Sequence, residues 1–470
     1  MAQNAAAARR DPRPAGPAIA ALTAKFGNLV VTSRAVREQH ANTVTWIENQ
    51  PPDAVIYPQS TEEVQDVVRI CAAHRLPIIP FGQGSSLEGH VNAPQGGVSI
   101  DFRDMSGVLA VHAEDLDCVV QPGITRKALN EYLRDQGVFF PIDPGANASL
   151  GGMASTRCSG TNAVRYGTMK DNVLALKVVK ADGELMQTAR RAKKSSAGYD
   201  LTRLIVGAEG TLGVITELTL KLAGIPEAIS GGICPFPSVE ACCNAAIMTI
   251  QSGIPVARIE LLDALQVRAV NLYSKLALAE TPMLFLEFHG TAAGVAEQSE
   301  RFGEIARELG GGPFQWTTHP EERTRLWEAR HNAALSTFTL RPGAKMIPTD
   351  VCVPISRLAE CVAETQRDIA ESRLIAPIVG HVGDGNFHLT LLVDTDSPDE
   401  VAIAQAFNER LVERALAMDG TCTGEHGVGQ GKVKYLETEH GLPALEAMRA
   451  VKRALDPDDI MNPGKILPPV

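Results

Sequence analysis

The chain has 470 residues, 44% hydrophobic and 21% charged, which is globular composition with too much chain for one ordinary core. Its 44 Lys and Arg against 55 Asp and Glu leave a formal net charge of −11, which repels a polyanion and excludes nucleic acid as the expected partner. No stretch reaches the roughly 18 to 20 consecutive apolar residues of a membrane span, and the nine cysteines include no C-x-x-C pair that would suggest a zinc site or a disulfide framework.

The first 25 residues mix Ala and Arg with Pro12, Pro14 and Pro17 and read as a frayed start, with the Arg-rich, acid-poor composition of a mitochondrial transit segment as an alternative. From Ala54 the pattern is regular. Ser60-Thr61-Glu62-Glu63 is a capping box opening a helix whose Val64, Val67, Val68 and Cys71 share one face. Leu76 to Pro80 reads as a short strand running into Phe81-Gly82-Gln83-Gly84-Ser85-Ser86, Cys118 to Val120 as another strand, and Thr125 to Gly137 as a helix with Leu129 and Leu133 inward. Glycine density rises from Pro144 to Gly167, falls through a strand over Val173 to Val179, and rises again from Gly207 to Gly213. The proline- and glycine-rich stretch from Ala223 to Ser238 is the expected boundary, giving a lead-in over 1–49, one domain over 50–225 and a second over 226–470. In the second, Val239 to Ser252 reads as a helix, Met283 to Phe288 as a strand and Leu445 to Leu455 as a closing helix. Strands and helices in alternation indicate α/β or α+β layering.

Three small-residue loops fall in the first domain: Gly82 to Gly89, Pro144 to Thr168 and Gly207 to Thr216. None matches the G-x-G-x-x-G fingerprint or a P-loop, which removes the usual supports for nicotinamide and ATP. Alone, the first loop is a turn between strand and helix or a run of backbone N–H groups for a pyrophosphate. Together the three suggest backbone closing around a long, flat ligand.

In the second domain His381 and His388 lie seven residues apart, and Gly383-Asp384-Gly385 between them argues against a helix. A flat strand would put them on opposite faces, whereas a turn at Gly383 to Gly385 folds both imidazoles toward one point; two structural histidines on a loop are the alternative. Glu425 and His426 follow, bracketed by Gly424 and Gly427. Two histidines and a carboxylate form a divalent-metal set with open positions, the kind used by Zn²⁺, Mn²⁺ or Fe²⁺ as Lewis acids, with Zn²⁺ or Mn²⁺ expected here. His426 is then free to accept a proton.

PFGQGSSLEG, PGANASLGGMASTRCSGTNAVRYGT and GAEGTLGVITELTL resemble the FAD-binding domain of the vanillyl-alcohol oxidase superfamily, over about residues 54–225. The resemblance implies an α+β fold: a PCMH-type FAD-binding domain of two α+β subdomains, then a C-terminal α+β substrate domain with an antiparallel sheet. It implies that Pro80, Gly82, Gln83, Gly84, Ser85, Ser86 and Leu87 cradle the pyrophosphate. Pro144, Gly145, Gly151, Gly152, Ser155, Gly160, Tyr166 and Gly167 would approach phosphates and isoalloxazine. Glu209, Gly210, Gly213, Val214 and Ile215 would hold the adenine and ribose side, with Asn462 from the tail completing the flavin set. Ser85 and Ser86 stand where histidine-linked members carry a His, so noncovalent FAD is expected and the nearby His90 is read as structural.

The second half, with WEARHN at Trp327 to Asn332 and MNPGK at Met461 to Lys465, resembles the FAD-linked D-2-hydroxyacid dehydrogenases, most closely those acting on D-lactate with a cytochrome-type acceptor. The resemblance implies that His381, His388 and Glu425 bind the metal, His426 is the base, Arg330 grips the substrate carboxylate and Asn386 lies in the substrate shell. A hydroxyl that relatives acting on D-2-hydroxyglutarate use appears here as Ala334, and their lysine as Pro348 or displaced to Lys345, which favours a smaller acid. That activity and the FAD subunit of a glycolate oxidase are the alternatives. An alkyl-glycerone-phosphate synthase carries a histidine run where this chain has Glu425-His426. Expected partners are the 2-hydroxy acid and an acceptor such as cytochrome c, a quinone or an electron-transfer flavoprotein, with a homodimer as the assembly. The expected location is cytoplasmic or peripheral at the inner membrane, and mitochondrial in a eukaryote.

Overall fold

Ser60 caps the helix Thr61–Ala73, its side chain accepting from the Glu63 N–H, while Glu63 reaches back to the Gln59 N–H at 2.7 Å. The apolar face, Val64, Val67, Val68 and Cys71, is buried as the spacing requires. The computed structural model describes residues 15–468. The start departs from expectation: Gly16–Phe26 is a helix with Ala18 and Leu22 buried, because Pro17 falls in the first turn, where its missing N–H costs no hydrogen bond. The Arg-rich residues before it, and with them the transit-segment expectation, lie outside the described residues.

Among the described residues the strands form sheets of four, five, two and eight members. In the first, Ala54–Ile56, Val98–Asp101 and Ile78–Phe81 run parallel, and the Ile78–Phe81 strand delivers the chain into the first glycine loop. The five-stranded sheet is antiparallel throughout, with Val173–Val179 and Val214–Lys221 at its centre.

The eight-stranded sheet organises the second half, again antiparallel. Alternation along its central strands decides which side carries chemistry. Ile259, Leu261, Leu284, Leu286, Phe387 and Leu389 pack with Phe302, Leu358 and Phe407 from the helices Ala292–Glu308, Leu358–Ser372 and Pro398–Ala417. The residues between them, Glu260, Glu287, His381 and His388, share the opposite face. The stretch expected as a boundary is largely sheet: Ala228–Pro235 is a strand between Met283–Gly290 and Gln315–Thr317. Gly232 marks a close backbone approach there, since a Cβ would sit 2.2 Å from the Gln315 carbonyl oxygen.

Candidate functional site

The polar face of the large sheet and the three glycine loops enclose a cavity of about 470 Å³. Pro80 and Gly82 to Leu87 line it from the first loop, and Pro144, Gly145, Gly151, Gly152 and Ser155 from the second. Glu209, Gly210 and Ile215 from the third and Asn462 from the tail complete that wall. Ser86 Oγ is buried here with no hydrogen-bond partner, a donor that fits a phosphate oxygen of FAD.

Other residues expected at the flavin sit behind this wall. Gly160 packs on the Asp143 backbone, Gly167 caps the short helix Ala163–Tyr166, Gly213 lies against Val178 and Val179, and Val214 belongs to an apolar core. Tyr166 shares a hydrogen bond of 2.7 Å with His289 Nδ1, which ties the two halves together. Glu209 uses both carboxylate oxygens on the second half, accepting from the Val428 N–H at 2.7 Å and the Gly429 N–H at 2.8 Å. His90, on the cavity wall, has Nε2 3.3 Å from the same carboxylate.

His381 ends the strand Ile378–His381, and His388 is the third residue of Asn386–Val393. The two strands form a hairpin through the turn around Gly383 to Gly385, with Val379 opposite His388, so both imidazoles leave the same face. Their ring centroids are 5.4 Å apart. Glu425 Oε1 lies 3.0 Å from His381 Nε2 and 3.2 Å from His388 Nε2. His388 Nε2 is buried with no hydrogen-bond partner, as a ligand atom awaiting a cation would be, and the two nitrogens and one oxygen fit Zn²⁺ or Mn²⁺. Burial opposes charge on these groups, yet His381 and His388 hold the Glu425 carboxyl well below its usual range, while Glu260 and Glu425 hold His381 well above the imidazole range. A metal would displace that His381 proton.

His426 stacks on His388, 4.9 Å between centroids and 9° between planes, and faces the cavity. Its backbone N–H and that of Glu425 both donate to Asp350 Oδ2 at 2.9 Å. Asp350 is therefore the anchor of the loop that carries Glu425 and His426. Although burial opposes it, Lys432, His426 and His388 hold the Asp350 carboxyl far below its usual range, so it stays an acceptor. Asn386 donates to Asp350 Oδ1 and to the Val351 carbonyl, both at 2.8 Å, and the structure places it behind the loop rather than on the cavity wall.

Arg330, near the end of the helix Pro320–His331, reaches the cavity with its Nε buried and unpartnered, while Nη2 donates to Glu260. Beside it Ala334, Met346 and Pro348 form an apolar wall. Lys345 does not join them: alternation along Lys345–Pro348 turns it, exposed, to the face opposite Met346 and Pro348.

Residues 52–189 match the FAD binding domain model and residues 225–466 match the model of FAD linked oxidases, C-terminal domain. The chain belongs to the FAD-linked oxidases. It is similar to a probable mitochondrial D-lactate dehydrogenase of Danio rerio, 52% identical over 93% of this chain and 89% of that one. It is also similar to a mitochondrial D-lactate dehydrogenase (cytochrome) of Arabidopsis thaliana, 50% identical over 89% of this chain and 74% of that one. In fold it matches 4-ethylphenol oxidase from Gulosibacter chungangensis, with a TM-score of 0.80 at 18% identity, over 96% of this chain and 97% of that one. An FAD-linked oxidase with this α+β fold therefore places its FAD-binding loops against a histidine and carboxylate cluster. Glu260 in that cluster carries no local motif and is found only through the sheet, while Asp350, in the segment Thr349 to Pro354, has its role shown only by the loop it holds.

Proposed function

We propose that the chain oxidises short D-2-hydroxy acids, D-lactate foremost, to the 2-oxo acids. The supporting observation is the convergence of Arg330, His426 and the His381, His388 and Glu425 set on the cavity that the FAD-binding loops line; the names of the relatives point the same way. When bound, FAD supplies the hydride acceptor, and a divalent metal on His381, His388 and Glu425 supplies the Lewis acid at the substrate 2-hydroxyl. Arg330 binds the substrate carboxylate with its unpartnered Nε, fixing which face of Cα–H is presented. His426 takes the hydroxyl proton on Nε2, the nitrogen remote from Glu88. Although burial works the other way, Asp350 and Glu88 raise its pKa, which strengthens it as a base; a bound cation would act in reverse. The Ala334, Met346 and Pro348 wall takes the side chain and offers nothing to a second carboxylate. The division at about residue 225 separates the FAD-binding unit from the substrate and metal unit, the flavin is held noncovalently, and electrons leave to a cytochrome-type acceptor, in mitochondria if the source is a eukaryote.

The test is anaerobic stopped-flow bleaching of the flavin without added acceptor. D-Lactate should reduce it, D-2-hydroxyglutarate should be at least tenfold slower, and L-lactate, whose Cα–H turns away when carboxylate and hydroxyl are fixed, should be nearly inert. Faster reduction by D-2-hydroxyglutarate than by D-lactate would overturn the substrate reading.

A further inference from the structure

Glu260 lies in the strand Val256–Leu262 and is 1% exposed, a buried carboxylate that direct contact with substrate does not explain. Both of its oxygens are used, on two different parts of the site. Oε1 is 2.8 Å from His381 Nδ1, and Oε2 accepts from Arg330 Nη2. The first contact is dictated by the sheet: Leu261 pairs with Gly380 across the antiparallel ladder, so the next residue pair along it is Glu260 and His381, on one face. The second comes from the helix Pro320–His331, which crosses that face and brings Arg330 down on the carboxylate.

Resting on the proposed roles of Arg330 and His381, we propose that Glu260 is a shared positioning residue, one oxygen fixing the tautomer of the metal ligand His381 and the other aiming the guanidinium of Arg330. A proton held on Nδ1 by Glu260 leaves Nε2 as the free lone pair, directed toward Glu425 and the metal position. The grip on Nη2 leaves Arg330 Nε, buried and unpartnered, as a donor facing the substrate carboxylate. Both neighbours are donors, so the position requires two acceptors. Glutamine, of the same shape, has one acceptor and one donor and must fail one arm.

That asymmetry supplies the test. In Glu260→Gln the amide oxygen goes to Arg330, which stays charged whereas a ligating His381 must be neutral, and its NH₂ group faces His381 Nδ1, forcing the ring proton onto Nε2. FAD-loaded, chelator-stripped full-length protein is titrated with Zn²⁺ and separately with Mn²⁺, and KM for D-lactate is then read at saturating metal. Glu260→Gln should bind metal about 10- to 100-fold more weakly with KM within about threefold of wild type. Glu260→Ala, which removes both arms, should lose the same metal affinity and raise KM by at least about tenfold; an unchanged flavin spectrum certifies that each variant is folded. Wild-type metal affinity in Glu260→Gln overturns the tautomer arm, and an unchanged KM in Glu260→Ala overturns the Arg330 arm; either result ends the proposal of a shared residue. A wild-type protein that takes up metal but oxidises no hydroxy acid refutes the substrate reading and the Arg330 arm that depends on it, while the metal titration still judges the other arm. A wild type that takes up no metal refutes the metal reading itself.

Discussion

His388 separates the proposed metal site from the flavin site at the level of a single side chain. It belongs to the cluster proposed to hold the metal, and among the described residues none of its polar contacts is to a glycine loop of the first half. His388→Ala should therefore lose bound metal and turnover while keeping a normal flavin absorbance spectrum. Elemental analysis showing full metal content in that variant would remove His388 from the ligand set. The histidine pair was legible in the sequence because glycine at a turn is a backbone signal: Gly385 has φ +80°, and a Cβ there would lie 2.1 Å from the Val353 carbonyl oxygen. Glu260 was not, since its partners are 70 and 121 residues away and meet it only through strand register and helix docking. Asn386 was expected in the substrate shell, whereas its NH₂ group donates to Asp350 and the Val351 carbonyl, an assignment that needs coordinates.

Among the elements, the helix Ala264–Ser274 carries a pH-dependent end. Asp263 caps it, accepting from the Gln266 N–H at 2.7 Å, and burial pushes its carboxyl up to about 6. That value exceeds the ~3.9 of an unfolded aspartate, so between about pH 4 and pH 6 the folded chain holds more protons than the unfolded one, and stability falls as pH rises through that window. Asparagine caps as well as aspartate and carries no charge to bury. Asp263→Asn should be more stable than wild type by about 1 kcal/mol at pH 7, less than the ~3 kcal/mol a fully buried group would give, and equal to it at pH 4. Urea midpoints at the two pH values check this, and a variant weaker at pH 7 contradicts it. Elements with a local code, such as the Thr61–Ala73 helix behind its serine cap, could be read in advance. The Ala228–Pro235 strand beside the expected boundary was not legible, because Gly231 and Gly232, which suit a crowded three-strand contact, look like loop residues when the neighbouring strands are out of view.

For the whole molecule, the flavin should come off with the fold. The first loop presents Ser85 and Ser86 to the cavity, and His90 lies against Glu209, so we expect acid precipitation to leave a colourless pellet and a yellow supernatant. Colour retained by the pellet after washing would mean a covalent link.

Glu209 also bears on where this chain can change its length. Gly224, Ile225 and Glu227 are exposed on the single strand of chain that joins the halves, so one extra residue there disturbs little buried backbone. The relative placement of the halves is set elsewhere, by cross-half contacts such as Tyr166 on His289 and the two backbone N–H groups of the Glu425 loop that grip one carboxylate of a glycine loop. A glycine inserted between Pro226 and Glu227 should leave turnover within about twofold of wild type. The same insertion between His426 and Gly427 shifts Val428 and Gly429 off Glu209 and displaces the base by up to a residue length, ~3.8 Å, against reacting atoms that must meet within ~3.5 Å. Comparing the two insertions by steady-state turnover, with flavin content as the folding control, reads where the molecule keeps its ruler: natural length variation should collect in the covalent joint and avoid the noncovalent one.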